Sequence, residues 1–286
     1  MFPQRYAAPG SLDEAVALLA VESHAFPLAG GTDLLVQMRL GARQPTTIVD
    51  LKNLPGITSV EFDADAVRIG ACACCAGLAE LPLLRAWWPG LMDAAGLIGS
   101  SQIQGRASIG GNLCNASPAA DSVPALIVNS AVALVAGPDG QRSVPVAEFC
   151  RGPGQTVLED GEFLFALELK RPASRSTDAY LRFTPRTEMD IAVAGVAVAL
   201  TLDEERVCTD ACVAIGAVAP TARLVPEAAA AIVGTRLEAS ALDRCTQAVR
   251  SAAQPIDDRR GTAAFRRHVV GVLARRAVMA AAARID

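Results

Sequence analysis

The sequence contains few of the residues that usually perform acid–base, metal or nucleic-acid chemistry. Only two of its 286 residues are histidines, His24 and His268, and aromatic residues make up 4% of the chain. Neither histidine has an acidic residue or a cysteine at ligand spacing, so we expect neither to be a metal ligand or a catalytic base. The net charge of −4, without a dense basic block, argues against binding to nucleic acid.

The sequence also lacks an apolar run long enough to cross a membrane. Its longest largely apolar stretch, residues 191–202, has 12 residues, whereas a membrane helix needs roughly 20. Near the N-terminus, Asp13 and Glu14 interrupt the position at which a secretion signal would have its apolar core. We therefore expect a cytoplasmic protein without a membrane span.

The eight cysteines do not suggest a metal centre. Cys72, Cys74 and Cys75 lie too close together to supply the separated pairs of a zinc or iron–sulfur site. They are more typical of small buried thiols in a reducing compartment. We expect no metal site in this chain.

The hydrophobic pattern predicts an α+β fold. Ser11 and Glu14 indicate a capping box that opens a helix, and a strand, a glycine turn, a helix and a second strand follow up to residue 51. From residue 57, alternating apolar residues on both sides of a DAD turn predict an antiparallel hairpin. The elements predicted next are a helix over residues 82–95 and strands over 131–136, 142–146 and 162–169.

A polar segment with proline and serine, residues 172–178, predicts a linker between two domains. We place the first domain at residues 1–175, with a subdomain border near residue 55, and the second at residues 176–286. The second domain is predicted to have three strands, over residues 180–183, 191–202 and 207–218, and then alanine-rich helices from Pro226 onward.

Two glycine motifs stand where the chain could approach a ligand. In LAGGTDLL, residues 28–35, an apolar strand runs into a helix start, and glycines there expose backbone N–H groups to an anion such as phosphate. Capping of the helix by Thr32 or Asp33 explains this motif equally well. SIGGN, residues 108–112, adds a second glycine pair. Neither loop continues into GK[ST], and the first lacks GxGxxG, which argues against nucleotide hydrolysis and against a standard dinucleotide fold.

Six stretches, in this order along the chain, resemble the FAD-binding medium subunits of the molybdenum hydroxylases, the family of xanthine dehydrogenase and carbon monoxide dehydrogenase. They are LAGGTDLL, SIGGNLCNASPAAD (108–121), GPGQTVLEDGEFL (152–164), RTEMDIAVAGVAVAL (186–200), GAVAPTAR (216–223) and DDRRGTAAFRRHVVGVLARR (257–276). The resemblance implies a two-subdomain FAD-binding domain of the vanillyl-alcohol-oxidase (PCMH) type. A C-terminal domain with a three-stranded antiparallel sheet and a helical bundle should follow it.

The resemblance also implies which residues contact FAD. Both glycine loops would hold the pyrophosphate, Asp121 would accept a hydroxyl of the ribityl or ribose portion, and Ile191 would lie beside the isoalloxazine ring. Arg182 stands where the family often has lysine. The implied cofactor-binding residues are Pro27, Leu28, Ala29, Gly30, Gly31, Thr32, Asp33, Leu34, Ile98, Ser108, Ile109, Gly110, Gly111, Asn112, Asp121, Leu164, Arg182 and Ile191.

The function implied is electron transfer, with FAD as the only redox centre of this chain and no catalytic side chain. Partner subunits would be a large one with the molybdenum cofactor, which oxidises the substrate, and a small one with two 2Fe–2S clusters, assembled as a dimer of heterotrimers. NAD, a quinone or another acceptor would take the electrons. Two alternatives are a free-standing FAD oxidoreductase of the same fold and a scaffold subunit without flavin. The resemblance leaves the substrate open among purines, N-heterocycles, aldehydes and carbon monoxide.

Overall fold

The computed structural model describes residues 5–21, 24–186 and 189–285, which form fourteen strands and twelve α-helices. The strands are Arg5–Ala7 (β1), Ala25–Leu28 (β2), Thr47–Asp50 (β3), Val60–Phe62 (β4), Ala66–Gly70 (β5), Val132–Gly137 (β6), Gly140–Pro145 (β7), Cys150–Gly152 (β8), Gln155–Thr156 (β9), Phe163–Lys170 (β10), Ser176–Phe183 (β11), Ala194–Leu202 (β12), Cys208–Gly216 (β13) and Arg223–Leu224 (β14). The helices are Leu12–Val21 (α1), Leu34–Arg39 (α2), Cys75–Ala79 (α3), Pro82–Trp87 (α4), Pro89–Gly96 (α5), Ser101–Gln104 (α6), Ile109–Cys114 (α7), Ser122–Val128 (α8), Val146–Phe149 (α9), Pro226–Ala230 (α10), Ala239–Ala252 (α11) and Ala263–Ala282 (α12).

The N-terminal part is a small parallel sheet in the order β1-β3-β2. Parallel neighbours need a crossover connection, and α1 and α2 are the helices that join these strands. The hydroxyl oxygen of Ser11 accepts a hydrogen bond from the Glu14 N–H at 3.3 Å, and the Glu14 carboxylate accepts one from the Gly10 N–H at 3.0 Å. These two bonds confirm the predicted helix start at Ser11. The predicted strand, glycine turn, helix and second strand are also confirmed, as β2, the turn after it, α2 and β3.

The second sheet is antiparallel, in the order β4-β5-β10-β6-β7. The predicted hairpin around the DAD turn is confirmed, because Val60 pairs with Ile69 and Phe62 with Val67. The GPDG turn closes a second hairpin in which Gly137 faces Gly140. The inner face of this sheet and the helices α3 to α8 enclose the larger core, whose largest fully buried side chains include Trp88, Phe149 and Phe163.

The single helix predicted over residues 82–95 is wrong, since α4 and α5 are separate helices. Trp88, between them, has φ −134° and ψ 66°, outside the helical region. The ring of Pro89 disfavours the helical conformation at the residue before it. Pro89 instead occupies the first turn of α5, where its missing N–H costs no hydrogen bond.

The third sheet has four antiparallel strands, β11-β12-β13-β14, so the predicted three-stranded sheet is wrong. The strand missed, β14, has two residues, of which Arg223 pairs with Ile215 and Leu224 with Ala214. Two residues are too few to show an alternating pattern in the sequence. The three longer strands and the C-terminal helices were predicted correctly.

Both faces of β12, an inner strand of this third sheet, are buried, which explains the long apolar stretch that it contains. Val196 and Val198 point into a core shared with α10 to α12, whereas Ala197, between them, belongs to the larger core of the N-terminal domain. Strands covered on both faces are apolar throughout rather than alternating. None of the helices in the described ranges is long and apolar enough to span a membrane.

Asp178 joins the two halves of the chain. It lies in β11 and is 1% exposed, so the predicted linker over residues 172–178 ends before this residue. Its carboxylate accepts hydrogen bonds from the N–H groups of Gly90 at 2.6 Å and Leu91 at 2.9 Å, and from the Asn129 amide at 2.8 Å. A negative charge at the N-terminus of α5 is also favoured by the helix dipole.

We expect Asp178→Ala to lower the free energy of unfolding by about 3 kcal/mol, because three buried donors lose a charged acceptor. Urea denaturation of the full chain measures the change. The matched control is Asp210→Ala, an exposed acid on β13 of the same sheet, which we expect to change stability by less than about 0.5 kcal/mol. Equal effects of the two substitutions would contradict the role given to Asp178.

Candidate functional site

A cleft of about 680 Å³ opens between the parallel sheet and the larger antiparallel sheet. Its walls come from the segment that follows β2, from the segment around α7, and from residues 154–164. The volume lies within the range of roughly 300 to 1,000 Å³ that is typical of cofactor and small-molecule sites. The cleft is therefore the candidate site.

The first wall exposes an uninterrupted row of backbone donors. Within residues 5–21, 24–186 and 189–285, no protein group accepts a hydrogen bond from the N–H groups of residues 30–34, which all line the cleft. Gly31 has φ +76°, a conformation that favours glycine, and α2 begins at Leu34. Five consecutive donors before and at a helix start form a surface suited to an anion.

A partly buried ion pair holds the residue that precedes this row, Ala29. The Lys52 ammonium donates to the carbonyl oxygen of Ala29 at 2.9 Å and to the carboxylate of Asp50 at 2.6 Å, and the Tyr6 hydroxyl donates to the same carboxylate at 2.6 Å. Burial alone would raise the pKa of Asp50, but the bonds from Lys52 and Tyr6 outweigh it and lower the pKa. None of these three residues was singled out as a site residue in the sequence. The one available signal was that Lys52 is one of only two lysines in the chain.

The second wall is the start of α7. The Ser108 hydroxyl caps this helix by accepting a hydrogen bond from the Gly111 N–H at 3.0 Å. A hydroxyl that accepts one bond still has its own proton to donate, so the cap leaves Ser108 able to contact a ligand. The side-chain oxygen of Asn112 accepts from the Ser122 hydroxyl at 2.7 Å, and its amide nitrogen remains as a donor.

Two of the glycines in these motifs serve contacts within the protein. A Cβ atom on Gly110 would lie 2.5 Å from the carbonyl oxygen of Ala71, and one on Gly30 would overlap the carbonyl of Arg106. Gly111 is different, because its Cβ would meet only the Ser108 hydroxyl, at 3.1 Å. Gly30 and Gly110 therefore let separate segments pack backbone to backbone, and Gly31 and Gly111 lie where the walls face the cleft.

The two walls are also joined by a side-chain hydrogen bond. The amide of Gln37, on α2, donates to the side-chain oxygen of Asn115, which follows α7, at 2.8 Å. Both residues line the cleft, and neither was singled out in the sequence. A glutamine and an asparagine at these positions form no recognisable sequence motif, because their contact depends on how α2 and α7 are placed in the fold.

Most of the residues implied by the resemblance come together in this cleft. The lining includes Pro27, Leu28, Ala29, Gly30, Gly31, Thr32, Asp33, Leu34, Ile98, Ser108, Gly110, Gly111, Asn112 and Leu164. Ile109 is fully buried next to the lining, and Ile191 is 49% exposed in the loop before β12. Asp121, Arg182 and Ile191 are not part of the lining, and their contact with the cofactor stays a prediction.

Asp121 and Arg182 form a buried ion pair between the two domains. The carboxylate of Asp121 accepts from the Arg182 guanidinium at 2.6 Å and from the Tyr180 hydroxyl at 2.8 Å. Asp121 is 7% exposed, and burial raises its pKa to about 6, although both partners act in the opposite direction. Tyr180 was not singled out in the sequence.

The thiols in the cleft are protonated and unreactive. Burial raises the pKa values of Cys72 and Cys114, which both line the cleft, to about 12. A thiol with such a pKa is a poor nucleophile and a poor metal ligand. Over the residues that the structure describes, no three side chains of histidine, cysteine, aspartate or glutamate are placed to hold a metal ion.

Sequence models of two protein families match consecutive parts of the chain. The FAD binding domain in molybdopterin dehydrogenase matches residues 2–172, and the CO dehydrogenase flavoprotein C-terminal domain matches residues 179–281. The chain belongs to the FAD-binding medium subunits of the molybdenum hydroxylases. The predicted family and its cofactor, FAD, are confirmed, and the predicted fold class is confirmed apart from the number of strands in the third sheet.

Relatives with assigned activities match this medium subunit along its length. Carbon monoxide dehydrogenase medium chains of Hydrogenophaga pseudoflava and Afipia carboxidovorans are 32% and 34% identical, over 99% and 98% of this chain and 99% and 96% of theirs. The xanthine dehydrogenase FAD-binding subunit of Escherichia coli O157:H7 is 30% identical over 97% of this chain and 96% of its own. In a solved structure of reconstituted CO dehydrogenase from Oligotropha carboxidovorans, the matching chain has a TM-score of 0.95 at 33% identity, covering 99% of this chain and 100% of that one.

The raised pKa of Asp121 gives a pH prediction. A carboxyl whose pKa rises from 3.8 to about 6 binds its proton more tightly in the folded chain, so the stability it contributes is complete below the lower value and is lost as the pH rises through about 6. On acidification from pH 7 to about pH 4, we expect wild type to gain about 2 kcal/mol relative to Asp121→Asn.

Urea denaturation at a series of pH values gives this difference. Asp210→Asn serves as the control, because it removes an exposed carboxyl and should follow the wild-type pH dependence. Parallel curves for wild type and Asp121→Asn would show that the buried carboxyl does not titrate as argued.

Proposed function

We propose that this medium subunit carries electrons on FAD from the 2Fe–2S clusters of a small subunit to an external acceptor such as NAD or a quinone. Substrate oxidation takes place at the molybdenum cofactor of a large subunit. The observation that supports this best is the row of five backbone N–H donors, which lies in the cleft of a family defined by FAD binding. Names of relatives such as medium chain and FAD-binding subunit support a place within a larger complex.

The described residues fit the pyrophosphate of FAD. Backbone N–H groups of residues 30–34 can donate to its oxygens, and Ser108 and Asn112 add side-chain donors from the opposite wall. Asp33 lies in the same wall, and partial desolvation raises the pKa of its carboxyl. Backbone donors cannot move far, so the chain would hold the cofactor in one orientation.

When bound, FAD accepts and releases electrons singly or in pairs, so it can join one-electron clusters to a two-electron acceptor. The chain's own residues then need only to bind, orient and shield it. The side chains that line the cleft agree with this role. His24 is the one imidazole among them, and no carboxylate is hydrogen-bonded to it in the described part of the chain. A free-standing oxidoreductase would need a general base to act on its substrate.

The predicted contacts outside the cleft complete the proposal. Asp121 would accept a hydroxyl of the FAD, Arg182 would hold Asp121 in place, and Ile191 would shield the ring where some relatives have an aromatic residue. The proposed division is an FAD-binding domain over residues 1–175, with subdomains that meet near residue 55, and a C-terminal domain over 176–286. The proposed assembly is a dimer of heterotrimers.

We expect Gly31→Ala to weaken FAD binding at least about tenfold, because a side chain at φ +76° strains the loop that carries the donors. Titration of the apo chain with FAD, followed by flavin fluorescence and the visible spectrum, measures the change. Gly41→Ala is a matched control, since Gly41 has φ +75° and nothing lies within 4 Å of its Cβ position. It should cost similar folding stability and leave FAD affinity unchanged.

Two outcomes of this titration would count against the proposal. Failure of the folded wild-type chain to bind FAD under any reconstitution condition would favour the scaffold subunit. Equal loss of affinity in both glycine variants would show that general destabilisation, and not the donor row, controls FAD binding.

The electron-transfer role is tested in the assembled complex. After FAD is removed from this subunit, substrate should still reduce the 2Fe–2S clusters, as followed by their visible bleaching, while reduction of the external acceptor should stop. Re-addition of FAD should restore it. Continued reduction of the acceptor without FAD would contradict the proposed route.

A further inference from the structure

A second recess, of about 330 Å³, lies between α11 and α12 on the C-terminal domain. It is lined by Gln247, Arg250 and Ser251 from α11 and by Arg267 and His268 from α12. All five side chains are polar, three of them are basic, and none is a carboxylate. Such a concentration of donors is unusual in a chain whose net charge is −4.

Arg250 is placed by a glycine on the opposite helix. A Cβ atom on Gly271 would lie 2.9 Å from Cγ of Arg250 and would overlap its Nε, so the arginine stem crosses α12 where that helix has no side chain. Gly271 is buried in the middle of a helix of 20 residues, where glycine costs helix stability. The helix thus has its least favourable residue at the position where Arg250 crosses it.

Within the described part of the chain, the guanidinium of Arg250 has no hydrogen-bond acceptor. Its Nε is buried and lacks a hydrogen-bond partner over the described ranges, 5–21, 24–186 and 189–285. Buried polar atoms of this kind usually contact a bound water or ion. With Nε packed against Gly271, the terminal N–H groups of Arg250 are left for an acceptor that enters the recess.

Two other arginines of the C-terminal helices are paired with acids. Arg266 contacts Asp258 at 2.7 Å, and Arg275 contacts Asp243 at 2.7 Å. Arg267 differs from them, because its Nε donates to the carbonyl oxygen of Ala253 at 3.4 Å and no carboxylate within the described chain pairs with it. Arg250 and Arg267 are therefore two basic groups, contributed by two helices, that share one recess without a counter-charge from the described residues.

We propose that this recess binds a phosphate-type oxyanion, through Arg250, Arg267 and His268, with Gln247 and Ser251 as further donors. The paired N–H groups of a guanidinium and the N–H group of an imidazole can donate to the several acceptor oxygens of such an anion. A docking site for a protein is disfavoured, because the centre of a protein interface is normally apolar or aromatic and this lining has no apolar side chain. The site is separate from the FAD cleft and shares no lining residue with it.

The two histidines of the chain allow a direct test. His268 lines the recess and His24 lines the FAD cleft, so their ring protons report on the two sites separately in one ¹H NMR spectrum. Inorganic phosphate is titrated into the full, FAD-loaded chain at constant pH and ionic strength, with His268→Gln to assign the resonance. We expect the His268 signal to shift in a saturable way and the His24 signal to stay fixed.

Three arginine variants test whether the response to phosphate depends on the arginines that line the recess. Arg250→Gln and Arg267→Gln should each raise the dissociation constant for phosphate about tenfold, because each removes a charged donor. Arg276→Gln is the matched control, since Arg276 is exposed on the same helix and does not line the recess. It should bind phosphate as wild type does. A second titration with AMP shows whether the recess binds a nucleotide or free phosphate. Tighter binding of AMP than of phosphate indicates a nucleotide ligand, and equal binding indicates the free anion.

Two results would overturn the proposal. One is a His268 resonance that does not move with phosphate or with AMP. The other is an unchanged dissociation constant in both Arg250→Gln and Arg267→Gln. If phosphate has no effect but Arg267→Gln weakens assembly of the complex, the recess binds a carboxylate of a partner subunit instead.

Discussion

At three glycines, two segments of the chain pack directly backbone to backbone, and these contacts determine the shape of the molecule around its cleft. Gly30 lies against Arg106, Gly110 against Ala71, and Gly90 against the backbone of Ala179, where a Cβ would come within 2.6 Å. The first two contacts bring the walls of the cleft together, and the third brings α5 onto the C-terminal sheet. Because no side chain stands between the segments, the N–H groups beside these glycines are held at fixed positions. A rigid row of donors is thus a consequence of how the segments pack.

The border between the domains carries two buried carboxylates, one from each side. Asp178 of the C-terminal domain accepts from the first turn of α5, and Asp121 of the N-terminal domain accepts from Arg182 and Tyr180. A buried charge is stable only when donors surround it, and here each set of donors comes largely from the other domain. Strand β12 of the third sheet, which is apolar on both faces, supplies packing between them. Relative motion of the domains would therefore separate these charges from their donors.

Features with a local sequence pattern could be predicted from the sequence. Contacts that depend on how distant segments are arranged in the fold could not. The long strands and the two glycine motifs have local signals, so the fold class and the two glycine walls of the cleft followed from them and from the family resemblance. The two-residue strand Arg223–Leu224 and the break at Trp88 involve too few residues to alter a hydrophobic period. The contacts of Lys52 with Ala29, of Gln37 with Asn115 and of Arg250 with Gly271 each join residues more than 20 positions apart in the chain, and no spacing rule relates such pairs.

The two anion sites use different donors, and the difference bears on how tightly each holds its ligand. In the cleft the donors are mainly backbone N–H groups, which lose little conformational entropy on binding because the glycine contacts have already fixed them. In the recess between α11 and α12 they are arginine side chains, of which only Arg250 is held firmly, by its passage across Gly271. Arg267 and His268 are exposed and must be ordered by the ligand. A preorganised backbone site suits a resident cofactor, whereas a side-chain site that is ordered on binding suits an anion that exchanges with solution.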